Sequence, residues 1–228
     1  MKSPNLSGKN EADFNNQFSL PSKYYNDNVE IVSWLRYFWC FKEINRVSPN
    51  SILEIGPGAG IIQSLFKSKL KYDTFDINDN LSPTYLGDLR QICSIVNKKY
   101  DLIVICDVLE HLPYEILYET ICSLKKLLHT NGRLLITIPH RRSYFLLMTP
   151  HYIPRVLSLP TGFLSIGSFY RRFIKRKIFI DPHHMWEIGD GKHDLRSVQK
   201  LFKDAQFTIE RQKRLIYVES WVLKNYQL

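Results

Sequence analysis

Two stretches of the chain carry residues whose types and spacing could do chemistry. The first is Glu54-Ile55-Gly56-Pro57-Gly58-Ala59-Gly60, with three glycines in five positions directly after a short apolar run. Glycines there let the backbone turn tightly and approach a ligand closely. A dinucleotide fingerprint would read GxGxxG, whereas this spacing is GxGxG with Ile61 in place of a small residue. A P-loop would need Gly-Lys-Ser or Gly-Lys-Thr, and neither is present. Pro57 has no N–H, so one backbone donor is missing from the loop. Asp76 follows sixteen residues after Gly60, and a carboxylate ending a strand can accept two hydrogen bonds from a ribose diol. Asp88 and Asp107 stand at similar chain positions, though an isolated Asp after a strand also serves as a cap or turn former.

The second stretch is Asp181-Pro182-His183-His184-Met185-Trp186-Glu187-Ile188-Gly189. Neutral imidazole, with an ordinary pKa of about 6.5, can take a proton from a hydroxyl at physiological pH. His183 and His184 are therefore the candidate catalytic bases, and Glu187 could orient one of the rings. The competing reading makes them hydrogen-bonded loop residues. A metal site built from His183 and His184 with His193 or His140 has no ligand pair at the usual spacing, so no metal is expected.

The elements that must position these groups follow from periodicity. Ile31, Trp34, Leu35, Phe38 and Phe41 or Cys40 recur at helical spacing and predict an aromatic helix over 30–45. Ser51–Ile55 and Tyr72–Asp76 read as strands, with a helix over Ile61–Ser68 between them. A brief third strand is expected at Thr84–Leu86, then helix from about Leu89 to Val96. Tyr100–Cys106 is apolar and bounded by charge, as in the centre of a parallel sheet. Tyr114–His129 carries Leu117, Ile121, Leu124 and Leu128 on one stripe, and Asn131-Gly132 then turns into Leu134–Ile138. Alternation of strand and helix implies right-handed βαβ units and an open parallel sheet with helices on both faces. A helix near Asp194–Ala205 precedes Phe207–Gln212 and Leu215–Val222, whose close spacing makes the final strand antiparallel to its neighbour.

Composition bounds the remaining possibilities. With 228 residues, 44% hydrophobic, the chain can bury a full core without staples. The four cysteines form no CxxC pair, which excludes a zinc ribbon and a disulfide scaffold and fits a reducing, cytoplasmic setting. Residues 1–20 are polar and lack the apolar stretch of a signal peptide, so we expect a disordered tail before one domain over 21–228.

Taken in order, the glycine loop, Asp76, Gly87-Asp88, Asp107-Val108-Leu109-Glu110-His111-Leu112 and Leu127–Ile136 resemble the class I S-adenosylmethionine-dependent methyltransferases, in particular the small-molecule type 11 group. The resemblance covers about residues 50–140 and the C-terminal helix and hairpin. It implies a Rossmann-like α/β fold, with seven strands, mostly parallel, and an antiparallel last strand. It also implies S-adenosyl-L-methionine as cofactor. Glu54, Gly56, Gly58 and Gly60 would hold its methionine part, and Asp76 its ribose, with Ile77 against the adenine. Asp88 would accept from the adenine amino group with Leu89 beside it, and Asp107 would line the methionine end. His111 would pack beneath the cofactor or face the acceptor. The His-His-Trp-Glu-Ile-Gly run is similar to one in bacterial members of this group.

Residues 140 to about 190 break the strand–helix rhythm and read as an insertion, with a helical lid at 162–176. Phe163, Ile166, Phe169, Tyr170, Phe173 and Ile174 fall on one side and Arg171, Arg172, Lys175 and Arg176 on the other. Thr120–Ile180 contains eleven Lys and Arg and no Asp or Glu, which points to an anionic partner. We expect a hydroxyl of a small or lipid- or glycan-linked acceptor, with peripheral contact to an anionic membrane at the inner face. RNA methylation, with the basic run tracking phosphates, is the alternative. It is disfavoured because the motifs of amino-base and cytosine-C5 enzymes are absent. A non-catalytic binding module is the third reading.

Overall fold

The computed structural model describes residues 19–27, 29, 31–148, 154–160, 170, 174, 181, 183–215 and 217–225, with backbone alone at 31–32, 142–148 and 154–160. The elements along the chain are α1 (Ser22–Asp27), α2 (Ile31–Val47), β1 (Ser51–Ile55), α3 (Ile61–Phe66), β2 (Lys71–Asp76), β3 (Tyr85–Leu86) and α4 (Ile92–Ile95). They continue with β4 (Tyr100–Cys106), α5 (Leu117–Lys126), β5 (Leu128–Pro139), β6 (Arg142–Met148), β7 (Pro154–Pro160), α6 (Leu195–Asp204), β8 (Phe207–Arg214) and β9 (Val218–Asn225).

Seven strands form one sheet in the order β3-β2-β1-β4-β5-β9-β8. Pairings from β3 through β5 are parallel, and β9 runs antiparallel to both β5 and β8. This is the Rossmann-like sheet the sequence predicts, including its antiparallel end. Side chains alternate between faces. Leu53, Ile55, Ile103, Ile105, Leu134 and Ile136 join one buried cluster with residues of α4, α5 and α6. Ile52, Leu102, Val104 and Leu135 join a second with residues of α2 and α3. The sheet is thus covered on both faces, which is why its central strands read as continuous apolar runs.

Helix α2 forms where the sequence reads a helix, with Trp39, Cys40 and Ile44 as its core face and Trp34, Leu35, Phe38 and Phe41 exposed. The physical reason is docking. Trp39 donates to Ser220 Oγ of β9 at 2.5 Å, and Cys40 Sγ meets Cys106 Sγ of β4 at 3.4 Å, and these contacts set the rotation of the helix. Helix α5 ends at Lys126 and the chain enters β5 at Leu128, before the Asn131-Gly132 turn. Leu128 opposite Tyr100 supplies a ladder position beyond the irregularity between Tyr100 and Leu102. In the insertion, which the sequence reads as a break in the strand–helix rhythm, Arg142–Met148 and Pro154–Pro160 pair as an antiparallel two-stranded unit, from Arg142↔Pro160 to Met148↔Pro154. The lid helix expected at 162–176 lies outside the described residues except for Tyr170 and Ile174, both exposed. The tail expected over 1–20 lies outside them up to residue 18.

Candidate active site

The glycine loop joins β1 to α3 at the carboxyl end of the sheet, where open parallel sheets place their ligands. Gly56 has φ +68°, and a Cβ there would stand 2.4 Å from Val108 Cγ2, so both conformation and space require glycine. Gly58 and Gly60 also have left-handed backbones, but added Cβ atoms would meet only ordinary contacts. Gly60 N–H donates to Pro57 O at 2.9 Å, closing the turn that Pro57 enters without a donor of its own. Tyr25 of α1 lies 3.7 Å from the site of a Gly58 Cβ, so the N-terminal helix reaches over the loop. Asn78 Nδ2 holds that segment by donating to Leu20 O at 2.8 Å.

Glu54, the fourth residue of β1, is buried and accepts from the Tyr72 hydroxyl at 2.7 Å. Burial pushes its carboxyl up to about 7, against the opposing effects of Tyr72 and Arg36. Asp76 ends β2, and its Oδ1 accepts from Asn78 N–H at 2.8 Å, which pins the carboxylate at the strand terminus. Burial raises its pKa as well. Ile77 beside it is 46% exposed, an apolar side chain left uncovered next to a carboxylate. This pairing fits a nucleoside, with the diol on Asp76 and a flat apolar base against Ile77. Asp88 caps the 3-10 turn Leu89–Gln91 through Arg90 N–H at 2.8 Å and pairs with the Arg90 guanidinium, whose hydrogen bonds lower its pKa. Arg90 thus engages both carboxylate oxygens of Asp88. Leu89 belongs to the buried core.

A second constellation forms where β4 ends. Asp107 has φ +54°, a left-handed position that Asp tolerates and that commonly marks functional sites. Its carboxylate pairs with the Arg36 guanidinium of α2, accepts from Thr137 Oγ1 at 2.6 Å and lies 3.5 Å from the Tyr217 hydroxyl. Arg36, Thr137 and Tyr217 carry no sequence motif. They come from a helix, a strand and a hairpin turn that only the fold brings together.

The His-rich segment lies against the same turn. Trp186 Nε1–H donates to Leu109 O and Leu112 O at 3.3 and 3.1 Å, and Met185 N–H donates to Glu110 O at 2.8 Å. Glu187 is the hub: it accepts from Arg141 Nη2 at 2.6 Å, Asp181 N–H at 3.0 Å and His184 Nδ1 at 2.8 Å. The sequence expected Glu187 to orient one ring, and that ring is His184. His183 Nδ1 lies 3.3 Å from Asp181 Oδ1, and the His183 carbonyl accepts from His111 Nδ1 at 2.8 Å. His111 and His184 meet edge to face at 5.1 Å, and burial with its neighbour His184 pulls His111 down to about 4, so it is neutral.

Glu110 is 0% exposed, and neither of its carboxylate oxygens has a hydrogen-bond partner among the described residues. Burial, then the charge of Asp107, pushes its pKa well above the usual range. One ligating atom each of Glu110, His111 and His184 lies within 4.8 Å of the others. The two other histidines considered from sequence are engaged elsewhere. His193 is held by Asp190 Oδ2 at 2.8 Å and stacks on Tyr114, and His140 Nε2 lies 3.1 Å from Leu215 O. The one sign in the sequence was Glu110-His111 at a strand end; their partner lies more than seventy residues on, which spacing rules do not connect.

A family model described as "Methyltransferase domain" matches residues 31–212. No curated protein matches the sequence. Among solved structures, an N-methyltransferase from Bradyrhizobium japonicum in complex with S-adenosyl-L-homocysteine superposes with a TM-score of 0.59 at 13% identity, covering 95% of this chain and 98% of its own. An S-adenosylmethionine-dependent methyltransferase from Clostridium acetobutylicum gives 0.57 at 11% identity, covering 95% and 99%. Magnesium protoporphyrin IX methyltransferase from Synechocystis, with bound S-adenosylhomocysteine, gives 0.51 at 15% identity, covering 98% and 89%. At these identities the likeness is one of fold.

Proposed function

The chain belongs to the methyltransferase-domain family and is an S-adenosylmethionine-dependent methyltransferase, and within that class we propose that it methylates a hydroxyl oxygen of a small or lipid-linked acceptor. The cofactor supplies a methyl group on a cationic sulfur that departs as a neutral thioether once a nucleophile takes the methyl. The protein's share is alignment and proton removal. In this reading the Gly56–Gly60 loop and Glu54 hold the methionine part, Asp76 and Ile77 the nucleoside, and Asp88 the adenine edge. Asp107, held by Arg36, Thr137 and Tyr217, shapes the methionine end.

The observation that carries the hydroxyl assignment is the pair of carboxylate-oriented imidazoles beside the carboxyl end of β4, His183 on Asp181 and His184 on Glu187. A nitrogen nucleophile that reacts as a free amine needs no base before attack, whereas a hydroxyl does. Of the two, the His183 side chain is 43% exposed and His184 only 17%, so His183 is the ring an incoming acceptor reaches. We assign His183 as proton acceptor and His184 to the buried cluster behind it. The one-signed basic run of Thr120–Ile180 supports an anionic or lipid-linked acceptor over a cationic one. Among the described residues no helix is long and apolar enough to cross a membrane.

His183→Ala is expected to lose about 10²–10⁴ in turnover with hydroxyl acceptors while binding S-adenosylhomocysteine normally. Turnover and calorimetry on the same preparation check this. Wild-type turnover in the variant would remove His183 from the chemistry.

A further inference from the structure

We propose that Glu110, His111 and His184 form a binding site for one divalent first-row transition cation, at the carboxyl end of β4 behind the acceptor position.

From the sequence no metal is expected, because His183 and His184 with His193 or His140 offer no ligand pair at the usual spacing. The fold assembles a different set: two consecutive residues from the turn after β4 and one from the segment that Trp186 and Met185 fasten to that turn. Their ligating atoms lie within 4.8 Å of one another, and His184 Nε2 stands 4.0 Å from Glu110 Oε1. At 4.0 Å the two atoms do not hydrogen-bond. Two ligands on a common cation, each about 2.1 Å from it, come to about 3–4 Å apart, so small side-chain rotations complete the site.

Two further features point to a ligand. Each imidazole is oriented through Nδ1 by an oxygen: His111 by the His183 carbonyl at 2.8 Å, and His184 by the Glu187 carboxylate at 2.8 Å. Donation from Nδ1 leaves the lone pair on Nε2, which is how metal-ligating histidines are held. Glu110 is the independent observation. A fully buried carboxylate with both oxygens unpartnered is costly, and no Lys or Arg among the described residues pairs with it. A cation between Glu110 and the two rings satisfies it.

The donor set selects the metal. Two imidazole nitrogens and one carboxylate suit Zn²⁺, Co²⁺, Mn²⁺ or Fe²⁺ and are poor for Ca²⁺ or Mg²⁺, which prefer oxygen. Three protein ligands leave open positions, and an acceptor hydroxyl entering one would lose its proton more easily, with His183 receiving it. That consequence rests on the hydroxyl reading above; cation binding does not.

The full chain, freed of metal by chelation and dialysis, would be titrated with Co²⁺ followed by visible absorption, and with Zn²⁺ by calorimetry. One equivalent should bind, with d–d bands reporting nitrogen and oxygen ligation. Glu110→Gln, which keeps shape and removes the ligating carboxylate, should weaken binding at least about 100-fold, as should His184→Ala. Glu187→Gln, which loosens His184 without removing a ligand, should cost about 10–100-fold. His183→Ala should bind cobalt as wild type does. Absence of stoichiometric binding to the wild type, or binding unchanged in both Glu110→Gln and His184→Ala, overturns the site. If either variant fails to fold, X-ray absorption of the wild-type cobalt protein decides: imidazole scattering supports the site and an all-oxygen shell overturns it. Cobalt bound as expected without methyl transfer to any hydroxyl acceptor would leave the site standing and remove the hydroxyl reading. Transfer without cobalt binding would do the reverse.

Discussion

The two halves of the site are built in different ways. The cofactor side, Glu54 to Asp88, is local: each group sits at the end of the strand that carries it, and loop geometry follows from glycine and aspartate at short spacing. The other side, around the turn after β4, is assembled from afar, with Arg36 from α2, Asp107 and Glu110 after β4, Thr137 from β5, His184 from the insertion and Tyr217 from the final turn. The first half, which we propose holds the cofactor, is written in motifs. The residues of the second are partnered through space.

The largest effect that tests this contrast is expected at Arg36. Removing one member of a substantially buried ion pair leaves the other uncompensated, so Arg36→Met should cost about 3–5 kcal/mol of stability. Adding Asp107→Asn should restore part of it. Urea unfolding of the single and double variants measures the coupling, and a single-variant loss below about 1 kcal/mol would show that the turn after β4 is not held by this pair.

Next comes the loop. Gly56→Ala meets both the left-handed backbone and Val108, which together cost about 3 kcal/mol. Gly58→Ala meets only the backbone term, about 1 kcal/mol. Equal losses in thermal or urea unfolding would mean that the packing of the loop on the turn after β4 is unimportant.

Glu54 gives a pH signature of similar size. Its folded-state pKa of about 7 lies above the ordinary 4.5, so the folded protein binds this proton more tightly than the unfolded chain. Its contribution is complete below about pH 4.5 and is lost as pH rises towards 7. The stability of Glu54→Gln relative to wild type should therefore rise by up to about 3 kcal/mol across that window and stay level above it. Unfolding curves of the cofactor-free protein at several pH values read this directly; a flat difference would place Glu54 in solvent.

The last effect falls on affinity alone. Asp76→Ala should weaken S-adenosylhomocysteine by about 1.5–3 kcal/mol through the loss of charge-assisted hydrogen bonds. Calorimetry checks it, and unchanged affinity in a folded variant would dissociate the strand-end carboxylate from the nucleoside.

Sequence periodicity was least reliable where two faces of an element are both apolar. Helix α2 carries Trp34, Leu35 and Phe38 on one side and Trp39, Cys40 and Ile44 on the other, and nothing in the spacing says which side meets the sheet. The structure chose the second because Trp39 finds Ser220 and Cys40 finds Cys106. The same choice turns Arg36 towards Asp107, so a residue absent from every motif became part of the site.

By itself, the sequence determined that the centre of the sheet is parallel, that the last strand is antiparallel, and where the glycine loop and the carboxylate that ends β2 fall. These rest on the alternation of strands and helices, the backbone freedom of glycine and short chain distances, all of which are local. Only the tertiary structure decided which face of α2 is buried, that Glu187 orients His184, and that Glu110, His111 and His184 converge. Those outcomes depend on two segments far apart in the chain being fastened together by Trp186 and Met185, and a contact of that kind has no period and no spacing to read.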